Sequence, residues 1–352
     1  MTYQRDFDRR VRLGVVGVGS HSYRNLLPTL TYLPADLVAI ADLDRELGDA
    51  TARQYGLQRS YRSAAEMYAA EELDAVLLCV SPQLHPQLAR EAFAAGLHVW
   101  LEKPVGTSVA DVDSMIAAQG DRIAVVGYKK VFMPAATKAR ELLALDEFGP
   151  LHTMSGIYPM NIPRGDDESI ARGGKNRWLI DGCHPTALLL SLAGPAAQVA
   201  VHRADDDSGV LVIRHESGTV TSLHLADSAP AFQPVERYFM VGQGRSVEIR
   251  NSRSITYQRG IPFSYATGTT FAPEGLDSGG ITWEAQDGMN TLENKAVFTQ
   301  GMYGELKYFL DCVLAGRPAE VSGLAFARQV MQVFEAAVRS DGDLVDITKE
   351  KE

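Results

Sequence analysis

Two textures of apolar and polar positions divide the chain. From residue 11 to about 130, short near-continuous apolar runs, VRLGVVGV, LVAIAD, DAVLLCV, LHVWLEK and RIAVVGY, alternate with segments of helical period such as LDRELGDATARQYG and HPQLAREAFAAG. Unbroken Val, Ile and Leu runs predict strands covered on both faces, and helices between them predict parallel pairing. After about residue 148 the period shortens to two. VLVIRHES, TVTSLHLAD, ERYFMVGQ and SVEIRN alternate apolar with polar residues and are joined by the turn signals ESG and GQG. The stretch 260–301 shows neither period and reads as a long loop of the kind that is usually functional or mobile. Two amphipathic helical patterns, YGELKYFLDCVLAG and LAFARQVMQVFEAAVRS, close the chain. The expected architecture is α/β. A doubly wound parallel sheet occupies residues 1–130, and an α+β domain with a large, open, mostly antiparallel sheet occupies 131–352.

Composition narrows the classes of function. The 352 residues are 45% hydrophobic and 22% charged, and no run approaches the ~20 apolar residues of a bilayer span, so no membrane partner is expected. The opening MTYQRDFDRR is polar, with no apolar segment of a signal peptide, and the cytoplasm is the expected location. Cys79, Cys183 and Cys312 are an odd count at wide spacing, which suits neither a disulfide framework nor a zinc ligand set. His98, His202, His215 and His224 lie on or beside predicted strands without acids or cysteines at ligand spacing, so no metal is expected. A net charge of −10 argues against nucleic acid as a partner.

The chemistry concentrates at the carboxyl ends of the predicted parallel strands. In GVVGVGSHS, Gly17, Gly19 and Ser22 occupy the G-x-G-x-x-G positions, with Ser20 in the same turn, between a strand and a helix. Backbone N–H groups and a helix N-terminus in that context hold a pyrophosphate. Serine at the third position is expected to loosen the strand-to-helix packing slightly. Asp42 follows the next strand 23 residues past Gly19, near the ~20-residue offset of the acid that binds the adenosine ribose. These are the marks of a Rossmann dinucleotide-binding domain. A carboxylate there repels a 2′-phosphate and favours NAD over NADP, although a tight turn followed by a surface Asp would look the same. Pro28 cannot donate within a helix, which predicts that the phosphate-binding helix is short or broken. In LEKPVG, Glu102, Lys103 and Pro104 stand at the carboxyl edge of another strand. An ammonium at that edge suits a substrate hydroxyl or carbonyl and its oxyanion character; a solvated loop lysine is the alternative.

With these residues in view the sequence resembles the glucose-fructose oxidoreductase, inositol dehydrogenase and rhizopine-catabolism oxidoreductase family. The resemblance rests on Gly17, Gly19 and Asp42, on LDAVLLCVSPQLHPQLAREAFAAGLHVWLEKP, on VVGYKKVFMP, on IDGCHP and on the closing YGELKYFLDCVLAGRPAEVS, and covers nearly the whole chain. It implies a Rossmann domain, a second domain whose open sheet builds a homodimer or homotetramer, and nicotinamide-dependent oxidation or reduction of a sugar, cyclitol or related polyol. By the same resemblance Lys103 contacts the reacting oxygen and His184 is the acid/base. Ser81, Gln83 and His85 line the nucleotide, Glu102 lies near the nicotinamide ribose, and Lys129 and Lys130 stand beside the site. Many relatives carry D-x-G-x-H, whereas here the acid is Asp181, three residues before His184.

Pro185 suits a first helical turn and so places His184 at or near an N-cap, where the helix dipole disfavours imidazolium. Asp181 pulls the other way and would orient the ring. A satisfied core histidine and a capping aspartate are the bland alternatives. Asn176, Arg177 and Trp178 just before IDGCH combine polar groups with an aromatic face suited to a carbohydrate, or else form a surface turn. His21, Tyr23 and Arg24 in the loop suit pyrophosphate or solvent equally. A substrate pocket is expected to draw on Tyr265, Trp283 and Asn290. Three rivals share these residues: an enzyme with permanently bound nucleotide, a non-catalytic nucleotide or sugar sensor, and an imine or ketone reductase.

Overall fold

A computed structural model describes residues 5–165, 176–230, 235–261, 278–285 and 295–347. The chain forms two compact units: Met1–Lys129 with Gly301–Met331, and Lys130–Gln300 with Gln332–Glu352.

The first unit is built on a parallel sheet of six strands in the order β3-β2-β1-β4-β5-β6. These are β1 (Val11–Val16), β2 (Ala35–Ala41), β3 (Ser60–Tyr61), β4 (Ala75–Leu78), β5 (His98–Leu101) and β6 (Ala124–Val126). Every residue of β4 is buried, which is why its sequence is an unbroken apolar run. The strand order reverses between β1 and β4, so the loops following these two strands flank a crevice at the carboxyl edge, where open α/β sheets bind ligands. Helices Arg45–Gln54, Ala64–Ala70, His85–Ala94 and Val109–Gln119 connect the strands. Asp44, Ser63 and Ser108 cap three of them by accepting from backbone N–H groups. Helix Met302–Ala315 returns to this core, with Leu306, Phe309, Leu310 and Cys312 in the same buried cluster as Val11, Leu13 and Val15 of β1 and Trp100 of β5.

The winding after β1 differs from a plain α-helix. Ser22–Leu26 forms a π-helical turn, closed by the Leu27 N–H donating to the Ser22 carbonyl, and Leu27–Leu30 continues as a single α-turn holding Pro28. The sequence predicts a short or broken helix here. The observed helix is short and widened, and the wider turn relieves the proline clash without a break.

The second unit carries a sheet of nine strands in the order β14-β13-β12-β11-β7-β10-β9-β8-β15. They are β7 (Thr153–Tyr158), β8 (Ala196–Arg203), β9 (Gly209–His215), β10 (Val220–Leu225), β11 (Arg237–Val241), β12 (Ser246–Arg250), β13 (Ser254–Gln258), β14 (Gly280–Glu284) and β15 (Val345–Asp346). Among the described residues of this sheet only β7 and β10 pair in parallel; the other pairs are antiparallel. Alternation along β11, with Tyr238 and Met240 buried, reflects a sheet with one covered face. Within 260–301, residues 280–284 form β14, which holds Trp283; Tyr265 and Asn290 lie outside the described residues. His215, on β9, shares its ring nitrogens with the Gly194 carbonyl at 2.7 Å and Thr221 Oγ1 at 2.9 Å. It is a satisfied core histidine. Among the described residues no group of acids, histidines and cysteines could hold a metal ion, and no helix is long and apolar enough to cross a membrane.

Candidate functional site

The turn after β1 is shaped for close backbone approach. Gly17 has φ of +89°, and a Cβ there would lie 2.4 Å from the Cys79 carbonyl oxygen, so only glycine fits. A Cβ on Gly19 would meet nothing within 4 Å, which leaves open space on the side where a phosphate would approach. Gly19 and Ser20 are exposed, whereas Ser22 is buried, as its place in the strand-to-helix packing requires. Asp42 follows β2, and its carboxylate accepts from the Val18 N–H at 2.8 Å and the Asp44 N–H at 2.9 Å. Each oxygen keeps a lone pair, so the carboxylate is fixed in orientation yet able to accept from ribose hydroxyls. These residues fit a dinucleotide.

The loop after β4 presents Ser81 and Gln83, both exposed. His85 differs. It is fully buried, and its Nδ1 lies 3.0 Å from the Pro104 carbonyl. A carbonyl can only accept, so Nδ1 carries the proton. Burial, the largest influence, holds the His85 pKa below the usual value, and the ring is neutral at pH 7. The His85 imidazole is enclosed and ties the loop after β4 to the Lys103-Pro104 segment.

Glu102 and Lys103 stand at the carboxyl end of β5. Glu102 Oε1 lies 2.8 Å from His21 Nε2 in the dinucleotide loop, and Oε2 accepts from the Lys103 N–H. His21 Nδ1 is 3.2 Å from the Asn25 side-chain nitrogen, which as a donor leaves the ring proton on Nε2, facing Glu102. Tyr23 is tied to Gln54 at 2.6 Å. The half-buried Lys129 opens the short helix Lys129–Phe132. Glu305 also belongs to this group: it is 2% exposed and lies in the fields of Glu102, Lys129 and Lys103. Sequence reading missed it. The signal was present, because Glu305 interrupts the apolar stripe Met302, Leu306, Phe309 and Leu310.

In the second unit, Lys130 is buried, and its Nζ donates to both oxygens of Glu236 at 2.6 Å while standing 5.3 Å from the Tyr158 ring centroid. Tyr238 also donates to Glu236, at 2.8 Å. Two ammonium protons meet carboxylate oxygens and the third has an aromatic face beside it. Lys130 is thus engaged by its own fold.

Asn176 caps helix Arg177–Asp181 by accepting from the Leu179 N–H at 2.7 Å. Arg177 pairs with Asp227 and donates to the Pro159 carbonyl at 3.0 Å. Trp178 is 1% exposed, stacked on Phe334 and donating to the Phe334 carbonyl at 3.1 Å. Its indole is therefore packed inside its own unit among the described residues. Asp181 ends this helix and Gly182 begins the next, Cys183–Ala193. His184 is the second residue of that helix and is buried. The same Gly182 closes the preceding helix, so this amino end continues an earlier turn and the dipole argument for His184 loses part of its basis. Lys175 lies outside the described residues.

Comparison with known proteins follows the same lines. Residues 11–130 match the model of an oxidoreductase family with an NAD-binding Rossmann fold. The D-apiose dehydrogenase of Paraburkholderia graminis is 33% identical over 110 residues, which span 31% of this chain and 29% of that protein. The D-xylose 1-dehydrogenase (NADP(+)) 2 of Haloferax volcanii is 26% identical over 236 residues, 62% of this chain and 70% of that one. A solved structure of levoglucosan dehydrogenase in complex with NADH and levoglucosan superposes with a TM-score of 0.79 at 17% identity, covering 97% of this chain and all of that one, 100%. At that identity the likeness shows the fold.

Proposed function

We propose that the protein, whose residues 11–130 match the model of an oxidoreductase family with an NAD-binding Rossmann fold, transfers hydride between NAD and a secondary alcohol or ketone of a sugar, cyclitol or sugar derivative. The observation that carries this reading is the turn after β1, where Gly17 packs on the Cys79 carbonyl and the Val18 N–H fixes the Asp42 carboxylate. Gly17, Gly19, Ser20 and Ser22 would hold the pyrophosphate, Asp42 the adenosine ribose, and Ser81, Gln83 and Glu102 the remainder of the dinucleotide. The carboxylate of Asp42 repels a 2′-phosphate and supports NAD over NADP.

When bound, the nicotinamide ring supplies the hydride acceptor or donor. In the oxidative direction His184 accepts the hydroxyl proton on an imidazole nitrogen, with Asp181 as its partner. The Lys103 ammonium stabilises negative charge on the substrate oxygen, and Lys129 adds positive potential. In reduction the proton returns from His184 to the oxygen.

The test is absorbance at the reduced-nicotinamide band with NAD, then NADP, across aldoses, inositols and their glycosides, using wild type and Lys103→Met. Wild type is expected to reduce NAD with one substrate class. The variant should lose on the order of 100-fold or more in turnover, as for removal of an oxyanion donor, with nucleotide affinity within about threefold. Equal turnover in K103M removes Lys103 from the chemistry.

A further inference from the structure

In the first unit the loop after β1 and the end of β5 are separated by β4, since the strand order runs β1-β4-β5. One side-chain contact crosses that gap. His21, in the loop, brings Nε2 to 2.8 Å from Oε1 of Glu102, which follows β5. The Asn25 side-chain nitrogen, 3.2 Å from His21 Nδ1, donates to it, so Nε2 carries the ring proton and donates to the carboxylate. The other oxygen, Oε2, accepts from the Lys103 N–H. The Glu102 side chain is 13% exposed, so its carboxylate is seated between these two donors and not free in solvent. An oxygen with one donor keeps a lone pair. Glu102 is therefore fixed in orientation and still able to accept from hydroxyls, the same arrangement that Val18 and Asp44 give Asp42. The loop after β1 thus supplies a donor to each of two carboxylates on opposite sides of it: the Val18 N–H to Asp42, after β2, and the His21 ring to Glu102, after β5.

We propose that His21 is a positioning residue for the nicotinamide half of the dinucleotide: its Nε2–H holds Glu102 in the orientation that accepts from the nicotinamide ribose, and the imidazole itself binds no part of the nucleotide. The proposal rests on the nucleotide reading above, in which Asp42 serves the adenosine ribose and Glu102 the other half. A glutamate side chain free to rotate would lose rotamer freedom on binding; the His21 donor removes that cost in advance. The effect is confined to ligands that reach Glu102. NADH carries both riboses, whereas ADP carries only the adenosine ribose and the diphosphate and engages Asp42 and the glycine turn without Glu102. A histidine that touched the pyrophosphate, or merely shaped the loop, would serve both ligands alike.

The experiment is calorimetric titration of NADH and of ADP into wild type, His21→Ala, His21→Gln, Glu102→Ala and the His21→Ala, Glu102→Ala double variant. His21→Ala should weaken NADH binding by on the order of tenfold, the low end for a lost hydrogen bond to a charged group, and leave ADP within about twofold of wild type. His21→Gln, whose amide can donate to Oε1, should recover most of the loss. Added to Glu102→Ala, His21→Ala should cost NADH at most about a further twofold, because its route to the ligand is gone. NADH binding unchanged in His21→Ala overturns the proposal. So do NADH and ADP weakened alike, losses that multiply in the double variant, or a Glu102→Ala variant that binds NADH like the wild type. Wild type that binds neither ligand overturns the nucleotide reading itself, a result distinct from all of these. Should His21→Ala not fold, His21→Phe, a ring without the donor, repeats the test with the same expected and overturning results.

Discussion

At the scale of single residues, Asp42 shows how far a spacing argument reaches. Its offset from Gly19 is set by the length of one helix and one strand, so the sequence alone places it. The structure adds that its oxygens accept from Val18 and Asp44. Asp42→Ala should therefore weaken NADH binding by on the order of tenfold to a hundredfold, the range for a lost hydrogen bond to a charged group, and should narrow any preference over NADPH. Equal dissociation constants in variant and wild type would remove Asp42 from ribose recognition. Lys130 marks the limit of the same method. Its partner Glu236 lies 106 positions away, and no local pattern shows that a basic residue is already engaged. Trp178 shows the same limit, since no local pattern reveals that Asn176 and Arg177 serve as cap and ion pair for a helix whose tryptophan is buried.

At the scale of elements, strands were legible wherever burial on both faces left an unbroken apolar run, as in β1, β4 and β5. In the second unit β9 to β12 were legible from alternation. β7 and β8 were not singled out, because Gly156 and Gln198 blur the period, and β13 alternates over only five residues. The junction at Gly182 could not be read either. A Cβ there would fall 2.0 Å from a Trp178 ring carbon and 2.4 Å from the Trp178 carbonyl oxygen, a constraint visible only once the two helices are packed. Alanine is the better helix former by ~1 kcal/mol, yet overpacking costs about 1–3 kcal/mol. Gly182→Ala should accordingly be destabilised by about 1–2 kcal/mol in urea unfolding, and turnover should fall with it because His184 is two residues away. A variant as stable as wild type would show that Trp178 yields without cost.

At the scale of the whole molecule, the buried titratable groups set a pH window for stability. His85, His98 and His215 are held below the usual histidine range, chiefly by burial. In the interval below about 6.5, the ordinary histidine value, the unfolded chain binds more protons than the folded one, so stability falls as pH falls. It stops falling from this source once the folded-state values are passed. Glu305 acts at the other end with the opposite sign. Its folded pKa lies well above the ordinary 4.5, so above that value the folded chain holds a proton that the unfolded chain has released. Stability from Glu305 is then lost progressively as pH rises through the folded value. The histidines should lower the apparent melting temperature as pH falls below about 6.5, and Glu305 should lower it as pH rises above the ordinary carboxylate value, at ~2–4 °C per kcal/mol for a unit of 150–250 residues. Glu305→Gln should remove this source of loss, so that its stability relative to wild type rises with pH above the ordinary carboxylate value, because glutamine has no proton to lose. An alkaline decline as steep in the variant as in the wild type would assign it to other groups and place Glu305 outside the proton balance of the fold.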